Sequence, residues 1–376
     1  MTPKPHPENK NPHHLFSLAR QFSPQGQVVE VREYGRGNVN DTFLVTLKAP
    51  GPARFILQRL NTRVFRQPQL VLGNLGLITE HVHQRLKRRP LPAGRRFELP
   101  RLLQTPDGRD HILDPEGSFW RALSYIEAAE TFDTIKDEAH AREVGWALGL
   151  FHELLSDLPA ARLADTLPGF HVTPAYLQHY DAVLATHRAA ASPDIKYCLE
   201  FVAQHRAWAP ILEAAKARGE LSLRPIHGDP KVNNVMLDTA TGQAVALIDL
   251  DTVKPGLVHY DIGDCLRSGC NLLGEETEHW ESVRFEPELA RAVLQSYVDR
   301  ARDCLTHHDW AYLFEAIRLI AFELGLRFFT DYLAGNVYFK ARHLDHNLIR
   351  ALVQFKLTES IASQEKAIRA LIRELR

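Results

Sequence analysis

The feature that most constrains the fold is a change of hydrophobic periodicity about a third of the way along the chain. Before it, short apolar runs at 42–47 and 54–60 lie between turn residues, which is typical of strands. After it, apolar residues recur every three or four positions, as at Val144, Leu148 and Phe151, which is typical of helices. A small β-rich half followed by a larger helical half predicts an α+β fold with two lobes.

This change of pattern sets the predicted domain boundaries. Residues 1–15, rich in Pro, His and Asn, are predicted to be a disordered lead-in. Residues 16–124 form a predicted N-lobe, and residues 125–376 a predicted, larger C-lobe. Helical patterns dominate this C-lobe except at 225–260, where short apolar runs alternate with Gly, Pro, Asn and Asp.

Charge and cysteine content exclude several classes of protein. The 376 residues include 45 Lys and Arg against 46 Asp and Glu, so no overall field attracts nucleic acid or an anionic membrane. The four cysteines form no Cys-x-x-Cys pair, which suits a reducing compartment. No apolar run approaches the roughly 20 residues of a membrane span. We expect a cytoplasmic protein, a monomer or weak homo-oligomer, with no nucleic-acid or membrane partner.

The segment 226–237 carries the first chemical signal. It places Asp229 and Asn234 five residues apart in a polar loop between two apolar runs, with Lys231 two residues after the aspartate. This is the spacing of a kinase catalytic loop, in which the aspartate orients a hydroxyl and the asparagine holds a metal ion. Lys231 stands where it could neutralise a transferred phosphoryl group. The alternative is an Asx-turn whose polar side chains only cap the backbone.

A second signal follows at 246–252. An apolar run ends in Asp249 and Asp251, which the alternation of an extended chain places on one side. Paired carboxylates at the end of a buried strand are costly unless a cation compensates them, and Mg²⁺ suits such a site. A hairpin of the observed length would return Asp249 to Asp229.

These motifs resemble a known superfamily. The runs IHGDPKVNNVMLD, ALIDLD and HYDIGD are similar to those of the aminoglycoside phosphotransferase and choline kinase superfamily, which has the protein-kinase-like fold. The N-acetylhexosamine 1-kinase branch is resembled more specifically by four further stretches, at 37–43, 56–60, 248–257 and 327–333.

The resemblance implies a set of site residues. Asp229 would be the catalytic base, aided by Lys231, and Asn234 and Asp249 would bind Mg²⁺. Supporting residues would be His227, Asp251 and Asp261, the last either capping a helix or bracing the catalytic loop. The expected nucleotide-binding residues, in the loop over the phosphates, on the third strand and in the connector between lobes, are Gly35, Gly37, Asn38, Gln58, Arg59, Ser124, Tyr125 and Ile126.

One position departs from the superfamily. The third strand of such kinases carries a lysine for the nucleotide phosphates, and Gln58 stands in its place. Arg59 is adjacent but should point to the opposite face of a regular strand. The resembled branch also reads Gln-Arg here, so activity is still expected.

The acceptor is expected to lie near the helix at 311–333. Glu323, Arg327 and Asp331 follow each other at helical spacing, which by default indicates a surface ion-pair ladder. If Arg327 binds a sugar, the two carboxylates are instead expected to orient it. By the resemblance, Asp229, Arg327 and Tyr338 would contact the acceptor. The function predicted is an ATP- and Mg²⁺-dependent kinase for the anomeric hydroxyl of a hexosamine. The alternatives are another small acceptor, such as an aminoglycoside or an amino alcohol, and a nucleotide-binding pseudokinase.

Overall fold

The computed structural model describes residues 12–23, 26–35, 39–48, 53–186 and 192–376. The chain divides into two compact units. The first comprises Met1–Thr79 and Pro100–Glu127, and the second comprises Glu80–Leu99 and Ala128–Arg376. This grouping differs from the predicted lobe boundary between 124 and 125 chiefly in placing residues 80–99 in the second unit.

The first unit is built on one antiparallel sheet of six strands. Its order is β1-β2-β3-β6-β4, and β5 also pairs with β6. Its helices and strands are α1 (Pro12–Gln21), β1 (Gln27–Glu33), β2 (Asp41–Lys48), β3 (Arg54–Leu60), the first part of α2 (Pro68–Arg88), β4 (Leu102–Leu103), β5 (Ile112–Leu113) and β6 (Phe119–Ser124).

Helix α1 covers one face of this sheet. Its Leu15 and Leu18 pack in a buried cluster with residues of the strands, among them Phe43, Leu57 and Trp120. The predicted disordered lead-in is therefore wrong for residues 12–15, because burial of the apolar side of α1 outweighs the polar composition. Residues 1–11 lie outside the described part of the chain.

The second unit is mainly helical. Its strands are β7 (Ala129–Glu130), β8 (Arg224–Ile226), β9 (Val235–Asp238), β10 (Ala244–Leu247) and β11 (Lys254–Gly256). Its helices, besides the end of α2, are α3 (Glu138–Leu155), α4 (Thr173–Thr186), α5 (Pro193–His205), α6 (Ile211–Ala217), α7 (Val258–Gly269), α8 (Pro287–Ala301), α9 (His307–Ala311), α10 (Leu313–Leu333), α11 (His346–Ser363) and α12 (Glu365–Leu375).

Two strand pairings bring two loops together. Leu247 of β10 pairs with Val235 of β9, and Lys254 of β11 pairs with Ile226 of β8. The loop 227–234 runs from β8 to β9, and the loop 248–253 runs from β10 to β11. Both loops therefore begin and end at paired residues and must lie side by side.

The buried helices α7 and α10 support this region. Along α10 most side chains are buried, including Ile317, Phe322 and Phe328. Cys265 and Cys270 lie in and just after α7, and burial raises the pKa of both thiols.

Among the helices of the described ranges, none is both long and apolar enough to cross a membrane. The predicted α+β class, with a β-rich N-terminal part and a larger helical part, is confirmed.

Candidate active site

The loop 227–234, here called the catalytic loop, is anchored by a buried carboxylate. Asp261 of α7 accepts hydrogen bonds from the backbone N–H of His227 at 2.7 Å and of Gly228 at 2.8 Å. Its Oδ2 also lies 2.9 Å from Nε2 of His152. Burial would raise the pKa of Asp261, but the contacts with His152 and His227 lower it overall. A charged Asp261 thus braces the loop, and no side-chain cap bond is made at the N-terminus of α7.

Gly228 allows the loop to turn. Its φ of 87° lies in the left-handed region, and a Cβ there would stand 2.7 Å from the backbone oxygen of Thr252. Only glycine combines this backbone conformation with such a close approach. The imidazole of His227 also connects the catalytic loop to the loop 248–253, because its Nε2 lies 3.0 Å from the carbonyl oxygen of Ile248.

The three polar side chains of the catalytic loop converge. Nζ of Lys231 lies 2.9 Å from Oδ2 of Asp229. The amide nitrogen of Asn234 donates to the backbone oxygen of Asp229 at 2.7 Å and is 3.3 Å from Oδ2. Burial lowers the pKa of Lys231, but Asp229 and Asp249 raise it overall, so the lysine is charged. The loop therefore offers one carboxylate flanked by an ammonium group and an amide.

The arrangement around Asp249 differs from the expected extended chain. Strand β10 ends at Leu247, Asp249 adopts the left-handed conformation with φ 61° and ψ 53°, and Leu250–Thr252 form one 3-10 turn. The prediction that Asp249 and Asp251 lie on one side assumed an extended chain. That assumption is wrong, because the chain turns at Asp249. Asp251 is buried at 2% exposure. Aspartate tolerates the left-handed region better than most residues, which explains how the turn forms.

Asn234 and Asp249 fit the oxygen ligands that Mg²⁺ requires. Because the amide nitrogen of Asn234 donates to the loop backbone, its oxygen is turned away from that backbone and can serve as a ligand. The backbone N–H of Ile248 donates to the carbonyl oxygen of Asn234 at 2.9 Å, which fixes Asn234 beside the residue that precedes Asp249. Within the described ranges no group of three or more His, Cys, Asp or Glu side chains could hold a metal ion. A two-ligand set suits Mg²⁺, which takes its other ligands from phosphates and water.

A histidine that the sequence prediction left out of the site links the catalytic loop to α10. Nε2 of His171 lies 2.7 Å from the carbonyl oxygen of Gly228, and Nδ1 lies 2.8 Å from a carboxylate oxygen of Glu323. Two acceptors require two N–H donors, so His171 is an imidazolium. Burial lowers the pKa of His171, but Glu323 and the Gly228 carbonyl raise it overall. No local sequence signal marks it, because its partners are 57 and 152 residues away.

Arg327 lies among aromatic rings. Its guanidinium carbon is 5.2 Å from the ring centroid of Phe170, 5.0 Å from that of Tyr176 and 5.4 Å from that of Phe339. Burial lowers the pKa of Arg327, but Tyr176 and Asp229 are among the groups that raise it overall. The buried arginine therefore stays charged.

The predicted orientation of Arg327 by Glu323 and Asp331 is not what the structure contains. Glu323 bonds to His171 and accepts from Oγ1 of Thr173 at 2.6 Å. Asp331 accepts hydrogen bonds from three consecutive backbone N–H groups, at 337–339, at 2.8–2.9 Å. Helical spacing alone could not foresee these distant partners. Tyr338 is 58% exposed, on the loop that Asp331 fixes.

The predicted nucleotide-binding residues of the first unit are spread over its sheet. Gly35 has φ 78°, as a tight turn requires, while Gly37 and Asn38 lie outside the described residues. The backbone N–H of Ser124 donates to the carbonyl oxygen of Arg101 at 2.8 Å, so this donor already has a hydrogen-bond partner within the protein.

Two neighbours of Ser124 differ in exposure. The ring of Tyr125 lies 4.5 Å below the guanidinium of Arg54. Ile126 is buried. The connector residues thus include one partly exposed aromatic ring and one core side chain.

The adjacent side chains of β3 lie on opposite faces. Nε of Arg59 donates to Oδ2 of Asp41 at 2.8 Å, and its guanidinium is 5.9 Å from the ring of Trp120, on the face that α1 covers. Gln58 contacts Thr42 and Arg121 on the other face. Arg59 therefore does not take the position that a lysine at 58 would have.

The fold and the site together define a kinase-like phosphotransferase, with an Asp-Lys-Asn catalytic loop beside a second aspartate. The chain belongs to the phosphotransferase enzyme family named APH, whose family model matches residues 30–308. It is thus a small-molecule kinase, an enzyme that phosphorylates hydroxyl groups. The predicted superfamily is confirmed.

Solved structures share the fold at low sequence identity. A microcompartment-associated aminopropanol kinase has 15% identity and a TM-score of 0.61, over 95% of this chain and 98% of the other. An aminoglycoside phosphotransferase from Alicyclobacillus acidocaldarius has 15% identity and a TM-score of 0.60, over 95% of both chains. A choline kinase from Cryptosporidium parvum Iowa II has 12% identity and a TM-score of 0.59, over 96% of this chain and 99% of the other.

Proposed function

We propose that this enzyme transfers the γ-phosphoryl group of ATP to the anomeric hydroxyl of a hexosamine, most specifically an N-acetylhexosamine. The acceptor oxygen forms a bond to the γ-phosphorus while the bond to the β,γ-bridging oxygen breaks. The hydroxyl proton passes to Asp229, and ADP leaves. This is the in-line transfer expected of a kinase active site.

The residues of the catalytic loop have distinct parts in this reaction. Asp229 orients the acceptor hydroxyl and takes its proton. Lys231, charged and 2.9 Å from Asp229, can stabilise the negative charge of the phosphoryl group. Asn234 and Asp249 would hold Mg²⁺, which neutralises charge on the phosphates when it is bound.

The observation that favours a neutral sugar is a buried cation, Arg327, among aromatic rings. The guanidinium carbon of Arg327 lies within 5.4 Å of the centroids of three aromatic rings, and its positive charge is buried. His171 adds a second positive charge that contacts the loop at Gly228. Fixed cations repel a polycationic aminoglycoside, whereas a guanidinium fork and aromatic faces suit sugar hydroxyls and ring C–H groups.

A second candidate is an amino alcohol acceptor, and one carboxylate favours it. Asp264 of α7 is 5% exposed, and its Oδ1 accepts from Nε of Arg267 at 2.8 Å. Its Oδ2 is buried and has no hydrogen-bond partner within the described part of the chain. Burial and the nearby charge of Asp229 raise the pKa of Asp264. An ammonium group could satisfy this oxygen, as the similarity to aminopropanol and choline kinases also suggests.

One acceptor screen separates these candidates. ATP consumption is measured with N-acetylhexosamines, free hexoses, aminoglycosides and amino alcohols, each with Mg²⁺. We expect turnover with an N-acetylhexosamine, an acid-labile product, and coupling of the phosphorus NMR signal to the anomeric proton. A 1-deoxy sugar should not be phosphorylated. Turnover with amino alcohols alone, or phosphate on the 6-hydroxyl, would contradict the proposed acceptor.

A further inference from the structure

Three polar side chains form a row across strands β2, β3 and β6 of the first unit. Thr42 pairs in register with Gln58, and Gln58 with Arg121. Phe43, Leu57 and other alternate residues belong to the cluster that α1 covers, so the row lies on the opposite face of the sheet. This is the face where Gln58 replaces the usual lysine.

The row fixes the orientation of the Gln58 amide. Arg121 donates to Oε1 of Gln58 from Nε at 3.1 Å and from Nη2 at 2.7 Å. Because a guanidinium group only donates, the atom facing it must be the amide oxygen. The amide nitrogen therefore points away from Arg121, and one of its hydrogens is donated to Oγ1 of Thr42 at 3.0 Å.

The second hydrogen on Nε2 of Gln58 has no partner within the described part of the chain. Gln58 is half-buried, whereas Arg121 is only 2% exposed. A ligand can therefore reach the amide of Gln58 but not the guanidinium behind it. The bond from a buried cation polarises the amide and makes its remaining N–H a better donor.

We propose that Gln58 is the side-chain donor on β3 to a phosphate oxygen of the nucleotide and that Arg121 is its positioning residue. Arg121 holds the amide in the donating orientation and places a positive charge behind it. The pair thus replaces a lysine with a neutral donor and a buried cation. This inference rests on the proposed ATP dependence but not on the identity of the acceptor.

The decisive variant is Gln58→Glu. A carboxylate at 58 can form an ion pair with Arg121, so the sheet should fold with an unchanged or higher Tm. It has no N–H to donate and adds a negative charge toward the phosphates. We expect the Kd for a non-hydrolysable Mg·ATP analogue, measured by calorimetry without acceptor, to rise about 10- to 100-fold. Gln69→Glu, on the exposed side of α2, makes the same charge change and should leave the Kd unaltered.

An exchange variant tests whether the pair of Gln58 and Arg121 takes the place of a lysine on β3. Gln58→Lys combined with Arg121→Gln moves the cation to β3 and the amide to β6. We expect it to bind the nucleotide at least 10-fold more tightly than Gln58→Glu. A folded exchange variant that binds as weakly as Gln58→Glu contradicts the proposal, as does wild-type affinity in Gln58→Glu. A wild-type protein that binds no Mg·ATP would remove the proposed function and this inference together.

Discussion

The catalytic loop and helix α10 hold their functional residues in different ways. In the loop, Asp229, Lys231 and Asn234 contact one another within five residues. On α10, Glu323 contacts His171, which is 152 residues away in the chain. The loop is therefore a local device that a short motif can specify, whereas the α10 side depends on long-range packing. If this difference has functional meaning, changes in the loop should lower kcat, and changes around Arg327 should raise the KM of the acceptor.

The largest effect is expected at the base. Asp229→Asn keeps the size of the side chain and removes the proton acceptor, so kcat should fall by about 10²- to 10⁴-fold. The Kd for Mg·ATP should stay within about twofold, because Asp229 is proposed to face the acceptor. Single-turnover kinetics and calorimetry measure the two quantities. A near-normal kcat would show that Asp229 is not the base. It would also contradict the expectation that changes in the catalytic loop lower kcat.

Asp249→Asn tests the metal site and should have the next largest effect. Asparagine tolerates the left-handed backbone at 249, so the fold should persist while one negative charge is lost. The gain in nucleotide affinity on adding Mg²⁺ should fall by about 10-fold or more. Calorimetry with the ATP analogue, with and without Mg²⁺, measures this gain. A variant that gains as much as the wild type would place the metal elsewhere.

His171 joins the catalytic loop to α10, and this connection should depend on pH. The groups facing His171 are Glu323, the Gly228 carbonyl, the ring of Tyr260 and the more distant Asp264. The pKa of His171 is raised in the folded protein. Its contribution to stability is therefore complete below the unfolded value of about 6.5 and is lost as pH rises through the folded value. We expect kcat to fall on this alkaline side, because one of the two contacts is lost.

His171→Gln separates this effect from other titrations. It should lower kcat by about 10-fold near pH 6 and flatten the alkaline limb of the pH profile. His179→Gln, on the exposed side of α4, is the matched control and should keep the wild-type profile. An alkaline limb that survives unchanged in His171→Gln would show that another group causes it.

The smallest effect is expected on the α10 side. Arg327→Ala should raise the KM of the sugar about 10-fold and leave the KM of ATP nearly unchanged, since one fork of donors to the acceptor is lost. Arg142→Ala removes an exposed arginine from α3 and should change neither constant. Equal rises in both KM values for Arg327→Ala would contradict the proposal that Arg327 contacts the acceptor and not the nucleotide.

Sequence patterns could predict those parts of the molecule that depend on local order. The strands β2 and β3, the helical character after residue 130 and the catalytic loop all follow from periodicity or short spacing. The helical state of residues 12–15 could not be read from composition, because it depends on burial against the sheet. The turn at Asp249 was missed for a similar reason, since alternation assumes an extended chain.

The remaining contacts were hidden because they join distant segments. Asp261 was predicted to cap a helix or to brace the catalytic loop, and only the structure distinguishes the two by its bonds to residues 227 and 228. His171 and Arg121 carry no motif of their own. Their roles become apparent from the acceptors around them, which tertiary packing supplies.

The buried cysteines can serve as probes of local unfolding. A protonated, inaccessible thiol does not react with an alkylating reagent, so Cys265 can be labelled only when α7 detaches from its surroundings. Asp261, one turn earlier on the same helix, braces the catalytic loop. The rate of labelling at Cys265 therefore reports how often that brace opens, and the half-buried Cys304 serves as a faster reference within the same molecule.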